Sequence, residues 1–165
     1  MRTLSSLIST RPHPASQLTL EAEHPVPKPA IQDILETCLY VTDLEAAERF
    51  YTDILDLTFV SKIDGRHVFL RCGKRMLLLF NAAVTAEVRE GLDIAPPHGA
   101  IGPGHVAFSI GADDFDTWRD HLTANHVEIE KEIQWDDRGC SLYFRDPSGN
   151  SLEVTTPSIW GIDRA

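Results

Sequence analysis

Three residues in this chain have the types and placement to hold a cation together: Glu36, His105 and Glu153. Each sits in a run that reads as a strand, where successive side chains point to opposite faces. In "ILETCLYV", Leu35, Thr37, Leu39 and Val41 share one face, and Glu36, Cys38 and Tyr40 share the other. In "GHVAFSI", Val106, Phe108 and Ile110 oppose His105, Ala107 and Ser109. In "NSLEV", Leu152 and Val154 oppose Ser151, Glu153 and Thr155. The apolar faces must meet helices, so the second faces carry the two acids and the imidazole. Two close carboxylates repel, and removing either from water costs several kcal/mol unless it is compensated. A divalent cation supplies the compensation. Two glutamates and one histidine form an N/O ligand set suited to Fe, Mn, Zn, Ni or Co. Three protein ligands leave room for water and substrate. Taken singly, a Glu or His on a strand is ordinarily solvated; the argument rests on matching positions in a repeat.

That repeat is visible in the order of elements. After "ILETCLYV", the run "TDLEAAERFYTDIL" predicts a helix, with Asp43 as N-cap and Leu44, Ala47, Tyr51 and Ile54 at helical spacing. "LTFVSKI", "RHVFLRC" and "KRMLLLFNA" then predict three strands joined by turns. The same order returns from Gly104: the strand "GHVAFSI", the helix "DDFDTWRDHLTANH", and the strands "VEIEKEI", "CSLYFR" and "NSLEVTT". Asp-Pro-Ser-Gly at 146–149 predicts a type I turn. Two βαβββ modules follow, at residues 31–81 and 104–157, giving an α+β fold with a curved mixed sheet around a metal-binding cleft. Position 36 of the first module corresponds to position 105 of the second. Residues 82–103 form the connection, a lid or a crossover, with "TAEVREGL" as a candidate short helix.

Residues 1–30 are an N-terminal extension, and 158–165 a C-terminal tail. The opening stretch is Ser-rich, with two arginines and no acid before Glu21. It is read as a surface or subunit-reaching arm, with an organelle-targeting segment as the alternative. The net charge of −10 on 165 residues excludes nucleic acid as an expected partner. No apolar run approaches the ~20 residues that cross a bilayer. Three widely spaced cysteines, Cys38, Cys72 and Cys140, point to a reducing compartment, and a cytoplasmic location is expected.

Other side chains are weaker candidates. His67, His98 and Trp135 are placed in the substrate pocket, His98 as a proton carrier from the Pro-Gly connection. Phe69 and Leu79 are candidates for an apolar wall. His13, His24, His121 and His126 are given no role.

"ETCLYVTDLEAAERFYTDILDL", "GHVAFSI" and "YFRDPSGNSLEV" resemble the vicinal oxygen chelate superfamily, which includes glyoxalases, extradiol dioxygenases, fosfomycin-resistance transferases and bleomycin-binding proteins. The resemblance covers about residues 31–157. It implies paired βαβββ units around a metal, with ligand positions at Glu36, Leu77, His105 and Glu153. Leu77 stands where glyoxalases often carry a fourth ligand, and Glu36 where dioxygenases and fosfomycin transferases carry histidine. The resemblance also implies a homodimer, with the metal in some members shared between chains. The function expected is a divalent-metal-dependent, glyoxalase-like lyase or isomerase. Its small-molecule substrate chelates the ion through two vicinal oxygens, and Glu36 acts as base. The first alternative is an extradiol-type ring-cleavage dioxygenase, in which Tyr143 hydrogen-bonds the substrate. The second is a non-catalytic binding protein for a small molecule such as an antibiotic.

Overall fold

A computed structural model describes residues 28–87 and 95–162 of the chain. The expected N-terminal arm therefore lies, up to residue 27, outside the described residues, as do 88–94 of the connection and the last three residues of the tail. The chain divides into the units Met1–Gln32 and Asp33–Ala165, and all elements named below belong to the second. No helix of the described residues is long and apolar enough to cross a membrane.

The first module runs β1 (Glu36–Tyr40), α1 (Leu44–Arg49), β2 (Thr58–Ile63), β3 (His67–Cys72) and β4 (Arg75–Phe80). The short helix α2 (Ala82–Thr85) opens the connection. The second module runs β5 (His105–Ser109), α3 (Phe115–Ala124), β6 (Lys131–Gln134), β7 (Cys140–Arg145) and β8 (Ser151–Thr155). Each module forms its own four-stranded mixed sheet, in the orders β1-β4-β3-β2 and β5-β8-β7-β6. The two orders are the same, and β1·β4 and β5·β8 are the parallel pairs. The paired βαβββ architecture expected from the sequence is thus present.

Asp43 caps α1, its Oδ1 accepting from Ala46 N at 2.9 Å. The expected helix continues to Ile54, but Phe50–Ile54 is π-helical. Thr52 Oγ1 donates to the Glu48 carbonyl at 2.9 Å, a side-chain bond that competes with the helical ladder. The strand expected from Val127 begins only at Lys131. The preceding residues are tied instead to the end of α3, where His126 adopts a φ of 58° and Val127 N donates to Leu122 O at 2.9 Å.

Both sheets press one face into a common core. Leu39, Leu70, Leu77 and Leu79 of the first module join Leu142, Phe144, Leu152 and Val154 of the second around Ala47, Tyr51 and Leu122. Burying such side chains stabilises by about 1.5–3 kcal/mol each. The modules are also pinned by a polar hub. Asp146 and Asn150 are 4% and 1% exposed. Asp146 Oδ1 accepts from Ser148 N and Asn150 N, while Oδ2 accepts from Asn150 Nδ2 at 2.8 Å and from the Tyr51 hydroxyl at 2.9 Å. Asn150 Nδ2 also donates to the Tyr40 carbonyl, and Asn150 Oδ1 accepts from Gly104 N at 2.7 Å. The predicted turn forms, with Gly149 N donating to Asp146 O and Gly149 at φ 82°. Gly104 allows β5 to start against β1: a Cβ there would lie 2.8 Å from Leu39 Cδ2.

Candidate functional site

The faces turned away from this core carry the predicted ligands. In the second module the ladder sets Ala107 beside Glu153, and Tyr143 beside Glu153 on the other flank. His105 shares that face at the start of β5. Its Nε2 lies 3.5 Å from Glu153 Oε2. His105 Nδ1 sits 3.0 Å from the Ser151 carbonyl, which can only accept, so Nδ1 carries the proton. In the neutral ring Nε2 then presents a lone pair toward the carboxylate. The other carboxylate oxygen, Glu153 Oε1, is buried with no hydrogen-bond partner among the described residues. Two electron-rich groups converge on one point, and a buried acceptor is left over. A shared cation resolves both, with the Ser151 carbonyl as the outer-shell group that orients the imidazole. These two residues fit a metal.

Tyr143 flanks the pair, its ring 6.3 Å from that of His105 and nearly parallel. Burial, and then the charge of Glu153, push its hydroxyl above the usual phenol range, so it remains a proton donor at neutral pH. Trp135 lies farther along the same sheet, its Nε1 donating to Ser141 Oγ at 2.7 Å. Ser141 Oγ in turn donates to Thr155 Oγ1 at 2.9 Å.

Glu36 stands apart. It is exposed at the start of β1. Among the described residues, no three His, Cys, Asp or Glu side chains come together as a metal site. Within one chain the structure unites His105 and Glu153 and leaves Glu36 on the other sheet. The reason is the shared core: both modules turn their apolar faces inward, so the polar faces look outward from separate sheets.

The Glu36 face holds His67 and His98 near its far end. His67 stacks on Phe69, with centroids 4.0 Å apart, and His98 is bonded to the Tyr40 hydroxyl at 2.8 Å. Leu77 and Leu79 do not belong to this face. Leu77 pairs with Thr37 on the core side and is buried there, as is Leu79. The residue of β4 that corresponds to Glu153 is Leu78, which pairs with Cys38 two residues beyond Glu36. The difference is one residue of register, which reverses the face. His121 has a structural role that the sequence did not reveal: its Nε2 lies 2.9 Å from the Ile54 carbonyl. Asp146 and Asn150 were also missed as individuals, since their partners lie far away in the chain.

Two mixed sheets of this order, with a His–Glu pair on the outer face of one, define a paired-βαβββ protein. The chain belongs to the Glyoxalase/Bleomycin resistance protein/Dioxygenase superfamily, whose model matches residues 33–154. Its fold matches the crystal structure of lactoylglutathione lyase from Agrobacterium tumefaciens with a TM-score of 0.77 and 40% identity, covering 82% of this chain and 100% of that one. It is 29% identical to the metallothiol transferase FosB of Staphylococcus epidermidis, over 78% of this chain and 84% of that protein. It is 27% identical to the glutathione transferase FosA of Serratia marcescens, again over 78% and 84%.

Proposed function

We propose that this protein is a divalent-metal-dependent, glyoxalase-like enzyme whose metal site is completed by a second copy of the chain. The observation that carries this reading is the His105–Glu153 pair, with its facing lone pairs and its orphaned Oε1. Glu36 of the partner is the proposed third ligand. It is exposed, and its neighbours Ile34 and Leu35 remain 73% and 72% exposed. An acid set in an apolar surface belongs at an interface rather than in open water.

A divalent ion held there would supply Lewis acidity for two vicinal oxygens of a small substrate. The protein's own groups do the remaining work. The Ser151 carbonyl fixes the His105 tautomer. Tyr143 stays protonated and donates a hydrogen bond to a substrate oxygen. Glu36, exposed where Glu153 is buried, serves as the base. The 40% identity to a lyase favours lyase or isomerase chemistry. A second reading, addition of a thiol to an electrophile, is favoured by the names of the curated relatives. Product analysis separates the two: a rearranged or cleaved single substrate supports the first, and a new C–S bond the second.

The test is metal analysis of protein purified without chelator. The wild-type protein is expected to hold about one ion per chain. Glu153→Gln and His105→Ala should each strip it while far-ultraviolet dichroism stays unchanged. Full occupancy in either variant would remove that residue from the site.

A further inference from the structure

The Glu36 face of the first sheet carries more than an acid. Phe80 lies at the centre of a cluster of rings there, with centroids 4.5 Å from His98, 5.6 Å from Phe69, 5.8 Å from His67 and 6.5 Å from Tyr40. His67 and Phe69 lie only 11° from parallel. The ladder explains the gathering. Tyr40 pairs with Phe80, which pairs with His67; Cys38 pairs with Leu78, which pairs with Phe69. All share the face of Glu36. Tyr40, His67, Phe69 and His98 are only half-buried, so the wall is not a closed core. It starts roughly 7 Å along β1 from Glu36 and ends roughly 13 Å away, at about 3.3 Å per residue. At its Tyr40 end a cleft of about 720 Å³ opens, lined by Tyr40, Val41, Asn81, Ala82, Ala86 and Ser148 among others. That is room for a drug-sized molecule.

Two of the wall's polar rings favour their neutral forms. Burial, and then Arg66, lower the His67 imidazole below its ordinary value, and burial raises the Tyr40 hydroxyl. Such a surface suits stacking on a planar, neutral ring. We propose that these rings bind a planar aromatic group of the substrate, so that the substrate class is an aryl compound bearing two vicinal oxygens. The oxygens depend on the metal reading above; the ring does not.

Two hydroxamates separate the parts, because both present the same vicinal oxygens and only one has a ring. Benzohydroxamic acid should bind the Ni-loaded protein at least about tenfold more tightly than acetohydroxamic acid by calorimetry. Phe69→Leu and His67→Gln should each cut that ratio below about threefold without changing metal content. Equal affinities in the wild-type protein overturn the proposal, and so does a preference that survives in both variants. If the wild-type protein holds no metal, the functional reading fails, and the ring is judged alone. Saturation-transfer NMR on chelator-treated protein should then still mark the phenyl protons of benzohydroxamic acid. Loss of that signal in both variants supports the wall; its absence in the wild-type protein overturns it.

Discussion

Glu153 shows how one side chain can carry a functional argument. This carboxylate is 5% exposed, one of its oxygens has no hydrogen-bond partner among the described residues, and the other lies 3.5 Å from His105 Nε2. An unsatisfied buried acceptor costs about 1–3 kcal/mol, and more when it is charged. The proposed metal would satisfy such a group. His67 poses a different question, since its Nδ1 is also buried with no hydrogen-bond partner among the described residues. Its imidazole is lowered from the ordinary histidine value of 6.5, first by burial and then by Arg66. In the unfolded chain the ring takes up a proton as pH falls through about 6.5, while the folded state resists until a lower pH. The unfolded state therefore binds more protons across that window, and stability falls as the solution is acidified. His67→Gln should flatten the decline in urea midpoint from pH 6.5 downward relative to the wild-type protein. Parallel curves would show that this ring titrates alike in both states.

At the scale of elements, the turn between β7 and β8 decides how the modules meet. Tyr51 reaches it from the π-helical end of the first helix, and its hydroxyl is pushed far above the phenol range by burial and by Asp146. Tyr51→Phe leaves the ring packed but removes one donor from a buried carboxylate. The expected loss is about 1.5–3 kcal/mol, read as a lower urea midpoint at constant slope, with metal content unchanged. A loss under about 0.5 kcal/mol would mean that water replaces the hydroxyl and that the hub is not a clamp. The partition of legibility follows from the same contacts. Alternation along β1, β5 and β8 placed Leu39, Val106 and Leu152 on one side and the ligands on the other, because a half-buried strand writes its two faces directly into the sequence. Asp43 declared itself as a cap through local chemistry. Asp146 reads only as a turn residue and Asn150 only as the start of a strand, since Tyr51, Tyr40 and Gly104 are joined to them by folding rather than by spacing. Leu77 was misplaced for a related reason: ladder register between β1 and β4 depends on a turn and two strands, and one step reverses a face.

For the molecule as a whole, a common core and divided polar faces are linked facts. The sheets cannot both bury their apolar sides between them and also fold their polar sides around one ion within a chain. A second copy removes the conflict if its first sheet covers the second sheet of its partner. The exposed Ile63 of β2, which pairs with His67 on the Glu36 side, adds apolar surface to the face that such an arrangement would cover. Two-fold symmetry makes the idea testable by mixing. Glu36→Gln and Glu153→Gln homodimers should each lack metal. After co-refolding in equal amounts, half of the dimers are hybrids. In each hybrid one site carries both substitutions and the other carries neither. About a quarter of wild-type metal occupancy should return, together with about a quarter of the activity. If all three ligands came from one chain, every site in the mixture would keep one defect and nothing would return. Restoration thus requires Glu36 to act across the interface, and its failure with dimers demonstrably exchanged would assign the third ligand elsewhere.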